Sequence, residues 1–235
     1  MTPRLAGIPT VSPIHLQRFF DIARERYAIL LKKRAGEPKP WTEDKVFQTW
    51  RFCNVFREDD ATTQWFRKNI RGPLREDPRV IMATIAFRWF NRVSTGTVLL
   101  PHLRDEIPER WNLELWRKKL MVHRAAGNAV VTGAYMVKTP PVLNKIDGIL
   151  QELAKAIARE GELLQWLHAT PAPERRMQDF WELLRHFSYI GDFTANEVTV
   201  DLSHTHVLRE APDVMTWTNP GPGAAVLMLQ KALGV

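Results

Sequence analysis

Apolar residues recur along most of this chain at the three- and four-residue spacing of amphipathic helices. Runs that alternate apolar and polar residues, which would indicate strands, are few. We therefore predict an all-α fold. The predicted helices cover residues 14–34, 43–57, 60–71, 78–92, 98–105, 110–125, 142–168, 174–187, 193–203 and 222–233.

Proline and glycine residues separate these helices and indicate the domain organisation. A break at residues 35–41 precedes Thr42, which we predict to be a helix N-cap, with the acids Glu43 and Asp44 in the first turn. Two consecutive prolines mark the strongest internal boundary. The pattern predicts a single helical domain over residues 1–235, which could be built from two subdomains that meet near residues 138–142.

Charge is distributed unevenly, and this favours a polyanionic partner. The net charge is +7, but residues 1–125 hold 24 Lys and Arg against 14 Asp and Glu, whereas the remainder holds 9 against 12. A basic half of this kind is typical of a surface that binds DNA or RNA. The one cysteine, Cys53, allows no disulfide and fits a reducing cytoplasm, that of the host cell if the protein is viral. No run of about 18 apolar residues occurs, so no membrane partner is expected.

The first polar constellation lies within the helix predicted over residues 43–57 and just beyond it. On a continuous helix Arg51, Asn54 and Glu58 would share one face. Aromatic residues surround them, namely Trp50, Phe52 and Phe56. The alternative is an ordinary surface helix carrying an Arg–Glu pair of little energetic weight.

The second constellation ends the most apolar predicted helix. Arg88, Asn91 and Arg92 would share one face there. Because a mostly apolar helix is buried, an arginine on it needs a partner anion. That anion could be Glu58, Asp59 or a substrate phosphate, and the alternative is a purely structural ion pair.

Two segments rich in small residues allow the close approach of a ligand. Residues 125–135 include Asn128 and Tyr135, and residues 216–224 include Trp217. The first fits a ligand or tight helix packing equally well. The second could form a nest of amides for an anion, or an ordinary turn.

The most specific motif is Ser-Tyr-Ile-Gly-Asp-Phe-Thr-Ala-Asn-Glu-Val at residues 188–198. It resembles the second half of the helix–hairpin–helix of base-excision DNA glycosylases, in which hairpin amides bind a DNA phosphate. The resemblance implies a helix–hairpin–helix, DNA glycosylase-like helical architecture, with Gly191, Asp192 and Thr194 as the DNA-binding residues. A catalytic Asp follows the hairpin in those enzymes, and Asp213 has a similar separation here.

Three departures from the glycosylase pattern are visible. The hairpin has one glycine, Phe193 stands where bifunctional glycosylases carry a nucleophilic lysine, and Asp192 would bring negative charge to the phosphate. Lyase chemistry is therefore disfavoured. The alternative role of Asp192 is an ordinary helix N-cap.

Taken together, these segments resemble the phage α-glutamyl/putrescinyl thymine pyrophosphorylases, also called amino acid:DNA transferases. Related sequences form the helical domain of 5-hydroxymethyluracil DNA kinases. The resemblance extends from about Arg18 to Ala224. Its motifs are Lys-Pro-Trp-Thr at 39–42, Arg-Phe-Cys-Asn-Val-Phe-Arg-Glu at 51–58, Thr-Gly-Ala-Tyr at 132–135, Gly-Asp-Phe-Thr-Ala at 191–195, Asp-Val-Met-Thr-Trp at 213–217 and Gly-Pro-Gly at 221–223.

The resemblance implies an enzyme that replaces the pyrophosphate of pyrophosphorylated 5-hydroxymethyluracil in double-stranded DNA with the amine of an amino acid or polyamine. We infer the roles from this chemistry: cations for the leaving group, a carboxylate base and aromatic residues that stack on the extruded base. The cations are Arg51, Arg57, Arg88 and Arg92. The carboxylates are Glu58, Asp59 and Asp213. The aromatic residues are Trp50, Trp89, Tyr135 and Trp217.

We further predict that Arg51, Asn54, Glu58, Arg88, Asn91 and Arg92 converge on one pocket, with Asp213 at its edge. No cofactor or metal is expected, since His204 and His206 have no evident further ligands. The P-loop motif is absent from the sequence, so any coupling would be to a separate base kinase. Two other functions stay open: a DNA glycosylase acting on modified thymine, and a non-catalytic DNA-binding module.

Overall fold

The computed structural model describes residues 12–219, and within that range the chain forms helices and turns without any strand. The all-α prediction is therefore confirmed for these residues. The helices are α1 Pro13–Arg34, α2 Lys45–Thr49, α3 Ala61–Phe66, α4 Val80–Phe90, α5 Val93–Asp105, α6 Leu113–Ala125, α7 Lys145–Ala158, α8 Glu160–Ala169, α9 Met177–Arg185 and α10 Asp192–Leu202. Shorter turns are the π-turn Arg67–Arg71 and the 3-10 turns Arg57–Asp59, Pro108–Arg110 and Ala172–Glu174.

The described residues divide into two compact units, residues 12–61 and residues 62–219. Residues 138–142, where the sequence suggested a boundary, lie inside the second unit. The predicted helix over 222–233 and the Gly-Pro-Gly motif at 221–223 lie outside the described residues. No helix in the described part of the chain is long and apolar enough to cross a membrane.

In the first unit, the helix predicted over residues 43–57 is wrong beyond Thr49, where α2 ends. The chain is irregular up to the 3-10 turn that begins at Arg57. Aromatic and β-branched residues favour helices weakly, and Asn54 instead donates a 2.9 Å hydrogen bond from its side chain to the Asp59 carbonyl. That bond closes a loop which a continuous helix could not contain.

The start of α2 also differs from the prediction. Asp44 is the N-cap, and its carboxylate accepts hydrogen bonds from the amides of Val46 and Phe47. Thr42 lies two residues earlier, where its hydroxyl accepts from the Asp44 amide. A carboxylate at the N-cap favours the helix through both hydrogen bonding and the helix dipole, so the cap is shifted by two residues.

Helix α4 forms the centre of the second unit, since all eleven of its residues are buried. It packs against α5, α7, α10 and the π-turn. Phe87 of α4 stacks between Phe66 and Trp65, with ring centroids 5.0 and 5.3 Å apart. Gly96 of α5 permits this packing, because a Cβ there would lie 2.5 Å from the Trp65 ring.

The single helix predicted over residues 142–168 is in fact two, α7 and α8. They are separated at Arg159, whose backbone leaves the helical region at φ −109° and ψ 8°. The Arg159 guanidinium donates to the His186 carbonyl at 2.7 Å and pairs with Glu162. This contact with a distant segment fixes the break, which the local sequence pattern does not reveal.

Glu160 begins α8 as a buried carboxyl group, 6% exposed. Burial raises its pKa to about 7, and the nearby carboxyl of Glu109 adds to the increase. The folded protein therefore retains a proton that the unfolded chain releases from pH 4.5 upward. It follows that Glu160 lowers stability progressively between about pH 4.5 and pH 7.

We expect Glu160→Gln to raise the melting temperature above pH 7 and to flatten its pH dependence between about pH 4.5 and 7. The gain should be on the order of a few kcal/mol, because each unit of pKa difference corresponds to about 1.4 kcal/mol. Thermal melts from pH 4 to 8 test this. Glu162→Gln is the control, since Arg159 lowers the pKa of Glu162 and its loss should not stabilise the protein. A lower melting temperature for Glu160→Gln at pH 8 would contradict the interpretation.

Candidate functional site at the first turn of helix α10

A buried ion pair joins α4 to α10 in the second unit. The Arg88 Nε atom lies 2.5 Å from Asp201 Oδ2, and its Nη2 atom lies 3.0 Å from Oδ1. Arg88 is 2% exposed and Asp201 is fully buried. A second buried cation, Arg71, has its Nη1 atom 3.8 Å from the same carboxylate. The bidentate geometry is the strongest form of an arginine–carboxylate contact.

Polar groups nearby satisfy the remaining atoms of Arg88. Its Nη1 donates to the Asn91 side chain at 2.6 Å, and its Nη2 lies 3.4 Å from the Thr63 hydroxyl. The Tyr135 hydroxyl donates to the backbone carbonyl of Arg88 at 3.0 Å. The partner anion of Arg88 is therefore Asp201, which corrects the expectation of Glu58, Asp59 or a substrate phosphate. Asp201 lies 113 residues from Arg88, beyond any local pattern.

The predicted helical face of Arg88, Asn91 and Arg92 is wrong, because α4 ends before its last two members. Asn91 adopts the left-handed conformation at φ 43° and ψ 46°, which Asn tolerates better than most residues. Arg92 is extended and precedes α5. Arg88 and Asn91 meet through a hydrogen bond instead. Two buried donors here, Trp89 Nε1 and Arg92 Nε, have no hydrogen-bond partner.

Three segments that are distant in sequence meet at the first turn of α10. Tyr135 packs edge-on against Phe193, with ring centroids 4.7 Å apart. Trp217 packs against Trp181 of α9 at 5.9 Å. The Asp192 carbonyl accepts hydrogen bonds from Trp181 Nε1 at 3.0 Å and from the side chain of Asn219 at 3.1 Å. The segments 132–135 and 191–195 thus meet directly, and the segment 213–217 joins them through the contact of Trp217 with Trp181; we call this cluster the α10 site.

The surface of the α10 site combines exposed aromatic rings with charge. Phe193 and Tyr189 are 40% and 38% exposed. Arg185 pairs with Asp192 at 2.6 Å, and its guanidinium lies 4.4 Å from the centroid of the Trp181 ring. Such a surface offers planar faces for stacking and cationic groups for anions.

The turn before α10 differs in detail from the predicted hairpin. The helices α9 and α10 lie within two or three residues of their predicted bounds. Gly191 is the N-cap but has an ordinary φ of −86°, and Tyr189 takes the left-handed conformation at φ 60°. Asp192 is the first residue of α10 and not its cap, which corrects that alternative. Thr194, in the first turn of α10, is partly buried.

Asp213 caps α9 and does not lie at the hairpin turn. Its two carboxylate oxygens accept hydrogen bonds from the amides of Met177 at 2.8 Å and Gln178 at 3.1 Å. Asp213 is 5% exposed, and the Arg176 Nε atom lies 3.9 Å away. These amides begin a nine-residue helix whose far end leads to the turn, a length of about 13 Å. The contacts of Asp213 are thus those of a helix cap, and its predicted catalytic role stays a prediction.

The remaining predicted site residues of the first unit lie on the loop between α2 and the 3-10 turn. Arg51 is exposed and Trp50 is 68% exposed. Asp59 pairs with Arg34 of α1 at 2.8 Å. Since the loop is not helical, the predicted face shared by Arg51, Asn54 and Glu58 is absent.

Other predicted residues are placed as follows. Arg57 and Glu58 lie on the 3-10 turn and are partly buried. Asn128 is exposed after α6 and donates to the His123 carbonyl at 3.2 Å. The predicted convergence of Arg51, Asn54 and Glu58 with Arg88, Asn91 and Arg92 involves both units and stays a prediction. No cluster of three or more His, Cys, Asp or Glu side chains suited to a metal occurs among residues 12–219.

Comparison with known proteins shows that the chain is similar to part of a 5-hmdU DNA kinase. A family model described as the helical domain of 5-hmdU DNA kinase matches residues 13–234. The 5-hmdU DNA kinase of Bacillus phage SP10 is 27% identical over 207 residues, which cover 80% of this chain and 31% of that protein. The chain thus spans about a third of the length of this relative. No solved structure matches.

Because the match covers nearly all residues, the chain belongs to the family of 5-hmdU DNA kinase helical domains. This confirms the related part of the resemblance drawn from the motifs. The narrower assignment to amino acid:DNA transferases stays a prediction.

We expect Asp201→Asn to destabilise the protein by about 3–5 kcal/mol, because it leaves the Arg88 guanidinium buried without a full counter-charge. Chemical denaturation followed by circular dichroism measures this loss. Asp192→Asn is the matched control, since it removes the exposed ion pair that Asp192 of the same helix forms with Arg185. Its loss should lower the free energy of unfolding by less than about 1 kcal/mol. Equal losses for the two variants would show that the buried pair does not hold α4 to α10.

Proposed function

We propose that this member of the family acts on thymine-modified DNA as an amino acid:DNA transferase. In the proposed reaction the nitrogen of an amino acid or polyamine attacks the methylene carbon of pyrophosphorylated 5-hydroxymethyluracil. The carbon–oxygen bond breaks, pyrophosphate leaves with the bonding electrons, and a base takes the ammonium proton. The observation that carries the proposal is the α10 site, where three of the motif segments that resemble that enzyme family come together.

The surface of the α10 site supports recognition of a nucleobase. Exposed Phe193 and Tyr189 offer faces on which a base can stack, a contact worth about 1–3 kcal/mol per base. Chemistry on a base within a duplex requires extrusion from the helix, and stacking compensates part of that cost. Arg185, whose guanidinium lies over the Trp181 ring, suits the neighbouring DNA backbone.

The contacts of the cations refine their proposed roles. Arg88 is engaged by Asp201 and Asn91, so it is less suited to bind a departing pyrophosphate. Arg92 is partly buried, and its Nε atom has no hydrogen-bond partner. A buried donor without a partner is costly unless a ligand satisfies it, so Arg92 is our preferred leaving-group donor. Exposed Arg51 is a second candidate.

The carboxylates proposed as the base also differ in burial and in the protein contacts that engage them. Asp213 is occupied by the α9 cap and buried, so a structural role accounts for it. Glu58 and Asp59 also have partners in the protein, Arg34 among those of Asp59, but both are only partly buried and remain the proposed bases. A base is needed because only the free amine is nucleophilic, whereas amino acids and polyamines carry ammonium groups at neutral pH.

A non-catalytic role is the second candidate. The relative from Bacillus phage SP10 is a DNA kinase about three times as long as its match to this chain. A helical domain that accompanies a kinase could bind DNA for it without reacting itself. In that case the chain would bind modified DNA and leave the base unchanged.

The function is tested by incubating the protein with DNA containing pyrophosphorylated 5-hydroxymethyluracil and a mixture of amino acids and polyamines. We expect mass spectrometry of the digested nucleosides to show an amine-substituted thymidine, with equimolar release of pyrophosphate. DNA with unphosphorylated 5-hydroxymethyluracil is the control and should stay unchanged. Abasic sites would indicate a glycosylase, and binding without reaction would favour the non-catalytic role.

We expect Arg92→Ala to lower the rate of pyrophosphate release by roughly 10²–10³-fold, as for the loss of one preorganised donor to a developing anion. The melting temperature should change little, because the Nε atom has no partner in the folded protein. Arg104→Ala is the control on the same helical segment, since Arg104 pairs at the surface with Asp105. An unchanged rate for Arg92→Ala would exclude this role.

A further inference from the structure

A cavity of about 730 Å³ lies on the second unit, between α7 and the turn that joins α9 to α10. We call it the turn pocket. Residues 185–191 form one wall, and Lys138 lies at the edge. The opposite wall is the C-terminal half of α7, including Glu152 and Lys155. Its volume falls within the range of small-ligand sites.

The charged side chains that line the turn pocket are mostly cationic, although apolar atoms form most of its surface. Four cationic side chains contribute to it, whereas Glu152 is its one carboxylate. Glu152 is 1% exposed and already neutralised, because it accepts hydrogen bonds from Lys155 Nζ at 2.7 Å and from the Ser188 hydroxyl. The four cations are Lys138, Lys155, Arg159 and Arg185.

Three of these cations are fixed in place by contacts with the protein. Lys155 pairs with Glu152, and Arg185 pairs with Asp192 at 2.6 Å. Arg159 pairs with Glu162, donates to the His186 carbonyl and packs over the Phe187 ring at 4.3 Å. The carboxylates of Glu162 and Asp192 lie outside the lining. Preorganised cations of this kind lose little conformational entropy when an anion binds.

Lys138 differs from the other three. It is exposed and forms no ion pair among the described residues. A lysine ammonium is a compact charge on a flexible stem, so Lys138 can reach an anion held by the fixed cations. The pocket therefore offers three fixed cations, each already in an ion pair, and one adjustable cation, Lys138.

We propose that the turn pocket binds a phosphoryl anion, with Lys138 as its adjustable ligand. A phosphoryl group carries several acceptor oxygens, which match multiple cationic donors better than a single carboxylate does. Two sources share this chemistry: a DNA backbone phosphate and free pyrophosphate. Only the choice of these two sources rests on the proposed function; the binding of an anion is argued from the pocket itself. Gly191 belongs to the α10 site and Tyr189 to its surface, and both line the pocket, so a backbone phosphate bound here would hold DNA beside the exposed aromatic rings.

The proposal is tested with Lys138→Glu in the full chain, compared with Lys118→Glu. Lys118 is exposed on α6 and does not line the pocket, so the two variants make the same charge change on the surface. Two quantities are measured: calorimetric affinity for inorganic pyrophosphate, and DNA affinity as a function of salt concentration. Circular dichroism melts verify that both variants are folded.

We expect Lys138→Glu to weaken one of these affinities at least tenfold more than Lys118→Glu does. Loss of pyrophosphate affinity identifies the free anion as the ligand. The backbone phosphate is identified by a different result. The plot of log DNA affinity against log salt concentration then has a slope smaller by about 1 for Lys138→Glu, and neither the unmodified protein nor either variant binds pyrophosphate. Equal effects of the two variants on both measurements would overturn the proposal. Because neither measurement needs turnover, the absence of transferase activity would leave this result intact.

Discussion

The arrangement of the second unit depends on the buried ion pair between Arg88 and Asp201. Removing two charges from water costs several kcal/mol per ion, and only good geometry offsets that cost. Here the guanidinium is bidentate, and Asn91 and Thr63 contact its other donors. The pair therefore fixes the end of α4, the fully buried central helix, against the last turn of α10. Any other register of these helices would leave a charge buried without its partner.

Because α10 is fixed at its last turn, its first turn has a defined position from which the α10 site is built. The segment after Asp213 runs along α9 and contacts the residues around both of its ends. Asp213 caps the start of α9, whereas Trp217 and Asn219 contact Trp181 and the Asp192 carbonyl. One short segment thus sets the start of α9 relative to the start of α10. Helix capping and side-chain packing therefore set the position of the aromatic surface at this turn.

Sequence patterns predicted the helices whose formation depends on neighbouring residues. They failed where contacts between residues distant in the sequence determine where a helix ends. The apolar run of α4 was sufficient to place that helix, including the burial of Arg88. The break at Arg159 escaped prediction because the His186 carbonyl, far along the chain, fixes it.

Asp201 also escaped prediction, although one signal was present. It is the lone carboxylate in the mostly apolar stretch 198–202, which is the pattern of a buried partner for a buried arginine. The capping role of Asp213 had no such signal, since the amides it binds lie 35 and 36 residues earlier. The motif segments could be recognised from the sequence, but their meeting at one turn could not.

The central claim is that the α10 site recognises modified thymine in DNA. Amide hydrogen exchange tests it most directly, with the protein alone, with unmodified duplex and with the same duplex carrying pyrophosphorylated 5-hydroxymethyluracil. The account predicts slower exchange across residues 189–195 and 213–217 with the modified duplex than with the unmodified one. Equal exchange with the two duplexes in these segments, or protection confined to other parts of the chain, would contradict it.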